Sequence, residues 1–328
     1  MAQDIKKTWD IIFKESSDPK DLPEVKGYDF TAKLDFNRFL ESYASTGFQA
    51  THLAQGIQIL KKMREDNATI FLGYTSNMVS SGLREVIAYL VKEKLIDVLV
   101  TTAGGVEEDI IKSLKPFFIG SFDSDDYKLA DLGINRIGNI YVPNNCYIEF
   151  EKLMNRFLDK MLELQKETSP VPASRFIYEL GKEVKDENSI YYWATKNNIP
   201  VFCPPLTDGS IGDMMYFFKK KHPEFKLDIS DDLVRINDIA INSDKSGVLV
   251  LGGSLPKHHV INANIFRDGA DYAVYISTGI EGDGSLSGAK PKEAITWNKL
   301  KADAKEVQIE GDATIIFPLL VAGGFADG

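Results

Sequence analysis

Residues 68–102 read ATIFLGYTSNMVSSGLREVIAYLVKEKLIDVLVTT, and this stretch sets the fold. Two short β-branched runs, at 68–73 and 97–102, flank a segment at 81–94 whose Leu83, Ile87, Leu90 and Val91 share one helical face. Strand, helix and strand at this spacing make a βαβ unit. DVLV is apolar almost throughout, as expected of a strand covered on both faces. Downstream, a short helix at 106–114 and a long one at 146–167 lead to strands at 200–203, 247–251, 272–277 and 307–309. Helices at 211–221, 257–267, 291–297 and 312–322 follow those strands. The alternation predicts an α/β protein with a doubly wound, mostly parallel sheet and helices on both faces. Upstream, the chain reads as helical and amphipathic at 36–43 and 47–64, behind a polar, proline-containing segment at 16–28. Residues 4–13 fit either a mobile arm or an extra helix. No linker follows residue 65. The expected layout is therefore one compact domain, with a helical N-terminal extension over 1–65 and the ligand-binding unit over 66–328.

The composition narrows the function. A hydrophobic fraction of 44% and a charged fraction of 26% describe a folded chain rather than a disordered one. Lys and Arg number 38 against 48 Asp and Glu, a formal charge of −10. That balance argues against nucleic acid and suits a cationic small molecule. Two cysteines, Cys146 and Cys203, rule out a disulfide framework and a four-cysteine zinc site. No metal site is expected, since HExxH is absent and the neighbouring His258 and His259 point in different directions on a helix. No apolar run reaches the ~18 residues of a membrane span. No signal-peptide stretch opens the sequence, so a cytoplasmic protein without membrane contact is expected.

Ligands of open α/β sheets sit beyond the carboxyl ends of the strands. Each expected strand end here carries a polar or glycine cluster: Thr75-Ser76-Asn77 with Ser80, Ala103-Gly104-Gly105, Thr207-Asp208-Gly209, Gly252-Gly253-Ser254, Thr278-Gly279, and Gly311-Asp312-Ala313. One such cluster is usually a turn with a helix cap. The whole series points to a large bound cofactor. Ser76, Asn77 and Ser80 sit where a helix begins, so hydroxyls and free N–H groups are expected to converge there on a phosphate. Neither GxGxxG nor GxxxxGK[ST] is present, which makes the site an unfamiliar nucleotide site. Glu107, Glu108, Asp208, Asp213, Asp283 and Glu293 form a second pattern, read either as helix caps and solvated acids or as a pocket for a polyvalent amine. His258, near a helix start, would be biased toward its neutral form and able to accept a proton.

TSNMVSSGLRE, TTAGGVEEDIIKSL, GINRIGN, SIYYWATKNNIPVFCPPLTDGSIGDM, LVLGGSLPKHHVINANIFRDGADYAVYI and SGAKPKEAITWNK together resemble the deoxyhypusine synthase family. The resemblance runs from about residue 30 to the C-terminus. It implies a Rossmann-like NAD-binding catalytic domain in a homotetramer of two tight dimers, with sites at the interface within each dimer. It implies transfer of the 4-aminobutyl group of spermidine to one lysine of the precursor of translation initiation factor 5A. The NAD contacts implied are Ser76, Asn77, Met78, Val79, Ser80, Thr102, Ala103, Gly104, Glu108, Asp208, Gly253, Thr278, Gly279, Asp312 and Ala313. The polyamine contacts implied are Glu107, Glu108, Asp213, His258, Gly284, Ser285, Leu286, Glu293 and Trp297. Lys299 is the implied covalent nucleophile and His258 the proton acceptor.

The chemistry suits these residue types. Carboxylates bind ammonium groups by charge-assisted hydrogen bonds, and an indole face covers methylenes and a cation. A primary amine forms a reversible imine, which arginine cannot. On one continuous helix Trp297 and Lys299 would lie about 200° apart. The helix is therefore expected to end near Trp297, with Asn298 in a left-handed position that turns Lys299 into the site. Leu286 departs from the animal enzymes, which carry an aspartate there, and puts one amine contact in question. The alternatives are a homospermidine synthase-like enzyme with a small amine acceptor, an NAD-dependent deacylase, and a catalytically dead partner subunit. Two cysteines count against the deacylase, and Lys299, His258 and Trp297 against the dead subunit.

Overall fold

The computed structural model describes residues 2–17, 19–168 and 170–326. At its centre six strands run side by side: Thr69–Tyr74, Val98–Val100, Val201–Phe202, Ser246–Leu251, Ala270–Ser277 and Leu300–Glu310. Counted along the chain, their order across the sheet is 3-2-1-4-5-6, and each neighbouring pair is parallel. This is the Rossmann-like doubly wound arrangement.

The alternation of side chains along each strand builds two apolar layers. Ile70, Leu72 and Tyr74 join Leu249, Leu251, Val274 and Ile276 on one face. Phe71 joins Val98, Val100, Val248 and Val250 on the other. Helices Phe48–Glu65, Leu83–Lys92, Ala103–Leu114 and Ala313–Gly324 contribute to the first layer. Asp231–Ile241, Ser254–Ala263 and Pro291–Ile295 contribute to the second. With both faces covered, Ser246–Leu251 is buried along its whole length. Helix Phe48–Glu65 packs tightly here: a Cβ on Gly56 would stand 3.0 Å from Leu320 and 3.1 Å from Ile309.

Several elements differ from the sequence reading. The strand expected at 307–309 is the end of a longer one, Leu300–Glu310, masked by the polar run KADAKE and by a register shift beside Ala270. The helix expected at 257–267 starts at Ser254 and ends at Ala263, followed by a 3-10 turn over Asn264–Arg267. A small antiparallel sheet of Phe118–Ile119, Ile134–Ile137 and Ile140–Pro143 follows helix Ala103–Leu114 and was not anticipated. Its strands are two to four residues long, too short for a period to show. Helices Ala173–Gly181, Ile190–Asn197 and Asp231–Ile241 were also unread. Ala2–Ile12 is a helix, with Trp9 and Ile12 exposed. Among the described residues no helix is long and apolar enough to cross a membrane.

One buried charge network fixes the helix that carries Glu107 and Glu108. Asp109 is fully buried and accepts from Arg84 Nε at 2.6 Å, Ser189 Oγ at 2.5 Å and the Ile190 N–H at 3.1 Å. Arg84 also donates to Asp186 and to Ser113 Oγ, each at 2.7 Å. Tyr191, just beyond, donates its hydroxyl to the Gly105 carbonyl at 2.7 Å. Removing one partner of such a pair strands the other charge in an apolar interior. Asp109→Ala should therefore lower unfolding stability by about 3–5 kcal/mol, read from the urea midpoint, whereas a surface change such as Asp159→Ala should stay within about 0.5 kcal/mol.

Candidate active site

In a 3-2-1-4-5-6 sheet the chain leaves the first and fourth strands in opposite directions, which opens a crevice beyond their carboxyl ends. Thr75–Asn77 follow the first strand and Gly252–Ser254 follow the fourth. Because all six strands are parallel, Thr102–Gly104, Asp208, Thr278–Gly279 and Asp312–Ala313 emerge at the same edge. The two sides meet closely: a Cβ on Gly252 would lie 3.1 Å from Thr75 Oγ1. Thr102 Oγ1 is buried without a hydrogen-bond partner among the described residues. Asp312 caps its helix, accepting from the Thr314 N–H at 2.7 Å.

The phosphate cradle expected at Ser76, Asn77 and Ser80 takes a different form. Asn77–Ser80 is a single turn, and the N–H groups of Met78, Val79 and Ser80 bond to the Thr75 and Ser76 carbonyls. The Ser80 hydroxyl donates to Glu108. Met78 and Val79 bury their side chains in the core, so a ligand would meet them through the backbone.

An acidic group lies on the second-strand side. Glu107 is 7% exposed and accepts the Ile211 N–H at 2.8 Å. Burial pushes its pKa up, and the charges of Asp213 and Asp208 add to the effect. Burial also raises Glu108, to about 7, with repulsion from Glu107 contributing. Gly209 lets its loop approach: a Cβ there would stand 2.7 Å from Glu107 Oε1. Burial, and then the charges of Glu108 and Glu107, push the hydroxyl of Tyr147, which the sequence reading did not single out, up to about 12.

The lysine group lies on the fourth- and fifth-strand side, under helix Pro291–Ile295. That helix ends two residues before Trp297, and Asn298 is left-handed at φ 54°. The Asn298 N–H bonds to Ile295 O at 3.0 Å and the Lys299 N–H to Ala294 O at 3.0 Å, a Schellman pairing. The expected turn is thus present. Lys299 precedes its strand, so its backbone stands at the opposite sheet edge from the crevice, and only its side chain reaches inward. Its Nζ lies 3.1 Å from His258 Nε2 and 5.8 Å from the Trp297 ring centroid. Lys299 is 8% exposed, and burial lowers its pKa. Burial, and then the charge of Lys299, lowers that of His258. Both shifts favour a neutral imidazole facing an amine that releases its proton readily. His259 turns inward instead, and burial holds it down at about 4.

A cavity of about 50 Å³ adjoins this pair, lined by Lys257, Tyr275, Leu286, Glu293, Trp297 and Lys299 among others. Ser285 and Gly284 stand on the exposed turn beside it, and Gly284 is left-handed at φ 67°. Lys257 reads in the sequence, with His258 and His259, as a solvated helix start, although it lies one helical turn before Ile261 on the buried face. Within one chain the structure brings Lys299, His258, Trp297, Glu293 and Leu286 together. It brings Glu107, Glu108 and Asp213 together separately, with Asp213 exposed.

The raised pKa of Glu108 has a definite sign. The unfolded chain ionises near the ordinary glutamate value of 4.5 and the folded one at about 7, so this group's stabilisation is lost as pH rises between them. Glu108→Gln should melt about 2–4 °C above the wild type at pH 8, and the difference should shrink toward pH 5 in calorimetry.

Comparison with known proteins bears on the whole chain. The family described as "DS: Deoxyhypusine synthase" matches residues 38–323. A Methanocaldococcus jannaschii protein named "Probable deoxyhypusine synthase" is 58% identical over 94% of this chain and 98% of its own length. A Drosophila melanogaster protein of the same name is 47% identical over 97% of this chain and 93% of its own. A solved structure described as "Crystal Structure of a putative deoxyhypusine synthase from Entamoeba histolytica" superposes with a TM-score of 0.69 at 31% identity, covering 92% of this chain and 96% of that one. The chain belongs to the deoxyhypusine synthase family.

Proposed function

We propose that this protein is a transferase that moves the 4-aminobutyl group of spermidine to a lysine of the translation initiation factor 5A precursor, with NAD as cofactor. The observation that carries this reading is the Lys299–His258 pair: a lysine held buried, at lowered pKa, 3.1 Å from an imidazole biased to neutral. A surface lysine would need neither feature. An amine nucleophile needs both, because only the unprotonated form attacks carbon.

The crevice fits a dinucleotide by its place at the topological switch point and by the unpartnered Thr102 Oγ1. Ser76–Ser80, Thr102–Gly104, Glu108, Asp208, Gly253, Thr278, Gly279, Asp312 and Ala313 would hold it. Bound there, NAD would take up the hydride lost from the amine carbon and, once reduced, would return it to the imine on the acceptor lysine. The remaining work falls to the chain. Asp213 and Glu293 bind the terminal ammonium groups, and Glu107 and Glu108 add negative charge beside them. Trp297, 66% exposed, covers the methylenes. His258 takes a proton from the secondary amine, on the same nitrogen that faces Lys299. Lys299 Nζ forms its bond to the oxidised carbon, the bond to diaminopropane breaks, and a 4-aminobutyl imine remains on Lys299. The acceptor lysine then displaces Lys299 from that imine.

The acidic and lysine groups lie on opposite sides of the switch point in one chain, which supports sites completed by a second copy within a homotetramer of two tight dimers. The free, buried Cys146 and Cys203 suit a reducing cytoplasm. We take residues 66–328 as the NAD-binding catalytic domain and 1–65 as its helical extension.

Borohydride treatment after incubation with NAD and spermidine should add a butylamine mass to the Lys299 peptide. Lys299→Arg should keep the fold and lose more than about 99% of transfer, as expected when a covalent nucleophile is removed. Labelled spermidine should end on the factor 5A precursor; label on putrescine alone would assign the small-amine alternative.

A further inference from the structure

Lys257 is 1% exposed, and no ion pair joins it to a carboxylate among the described residues. Its Nζ donates to the carbonyls of Leu286 at 2.7 Å and Ala289 at 2.6 Å, and sits 4.4 Å from the Tyr275 ring centroid. Glu293 is the acid whose charge reaches it; Lys299 and Tyr275 line the same cavity. Burying an ammonium is unfavourable, and burial lowers this one to about 8. A methionine on this helix face would pack without that cost.

What the charge does achieve is local. The two carbonyls bracket Ser287 and Gly288, and those residues rest on the strand ends. A Cβ on Gly253 would lie 2.2 Å from Ser287 Oγ, and one on Gly279 2.8 Å from the Ser287 carbonyl carbon. Among the described residues, the hydrogen bonds that tie segment 284–289 to an element outside its own loop are the two from Lys257, on helix Ser254–Ala263. We propose that Lys257 is a positioning residue, a latch whose two hydrogen bonds hold segment 284–289 over the strand ends and so set how tightly the amine substrate is held. This rests on the reading of the site given above.

Two measurements on Lys257→Met separate the outcomes. Hydrogen–deuterium exchange of the peptide spanning 281–290 should quicken at least about tenfold, the loss expected when a charged hydrogen bond is removed, while strand Ser246–Leu251 keeps its protection. Unchanged exchange at 281–290 overturns the latch, and this readout needs no substrate. Quickened exchange in the strand as well would mean general unfolding, and would overturn it too. In steady-state assays the KM for spermidine should rise about tenfold with kcat changed less than about threefold. A fall in kcat at constant KM would place Lys257 in the chemistry and overturn the positioning role. A wild type that turns over no spermidine would defeat the functional reading and leave the exchange result standing.

Discussion

The contact between Lys299 and His258 depends on one backbone conformation. Asn298 must be left-handed, or the chain leaving helix Pro291–Ile295 would carry Lys299 away from Trp297 and the cavity. For a non-glycine residue that conformation costs roughly 1–2 kcal/mol, least for asparagine. The Schellman bonds to Ala294 and Ile295 offset it. Upstream, the helix that supplies His258 is fixed by Val260 and Ile261, buried against the sheet. Two elements from opposite edges of the sheet thus deliver one side chain each to a common point.

Much of the fold was legible because a doubly covered sheet leaves uninterrupted apolar runs, such as DVLV at 97–100 and VLVL at 248–251. Leu300–Glu310 was legible only at its 307–309 end, since residues 301–306 are mostly polar and none of them is buried. The short sheet from Phe118 to Pro143 lay below the length at which any period can appear. Helix Ile190–Asn197 hid for a different reason: its Tyr191 and Ser189 serve the Asp109 and Gly105 contacts, so polar atoms occupy the buried face.

The site divides in the same way. Asn298 could be read in advance because helix geometry makes Trp297 and Lys299 incompatible on one helix. At Ser76–Ser80 the donors expected to converge on a phosphate are engaged instead, because a single turn closes on its own carbonyls and Glu108 takes the Ser80 hydroxyl. Lys257 shows how a charged residue escapes notice on an apolar face. Its spacing to Ile261 marks it as buried, yet residue type alone suggests a solvated helix start. Glu107 and Glu108 make the complementary case, where two adjacent acids are both buried and both held by neighbouring donors.

The central claim is that the fold delivers Lys299 as a nucleophile primed to lose its proton, facing a neutral imidazole. Competitive labelling of lysine amines across a pH series, followed by mass spectrometry of the Lys299 peptide, measures this directly in the ligand-free protein. The account predicts that Lys299 titrates below the ordinary lysine value of 10.5. A Lys299 that titrates at or above that value would contradict it.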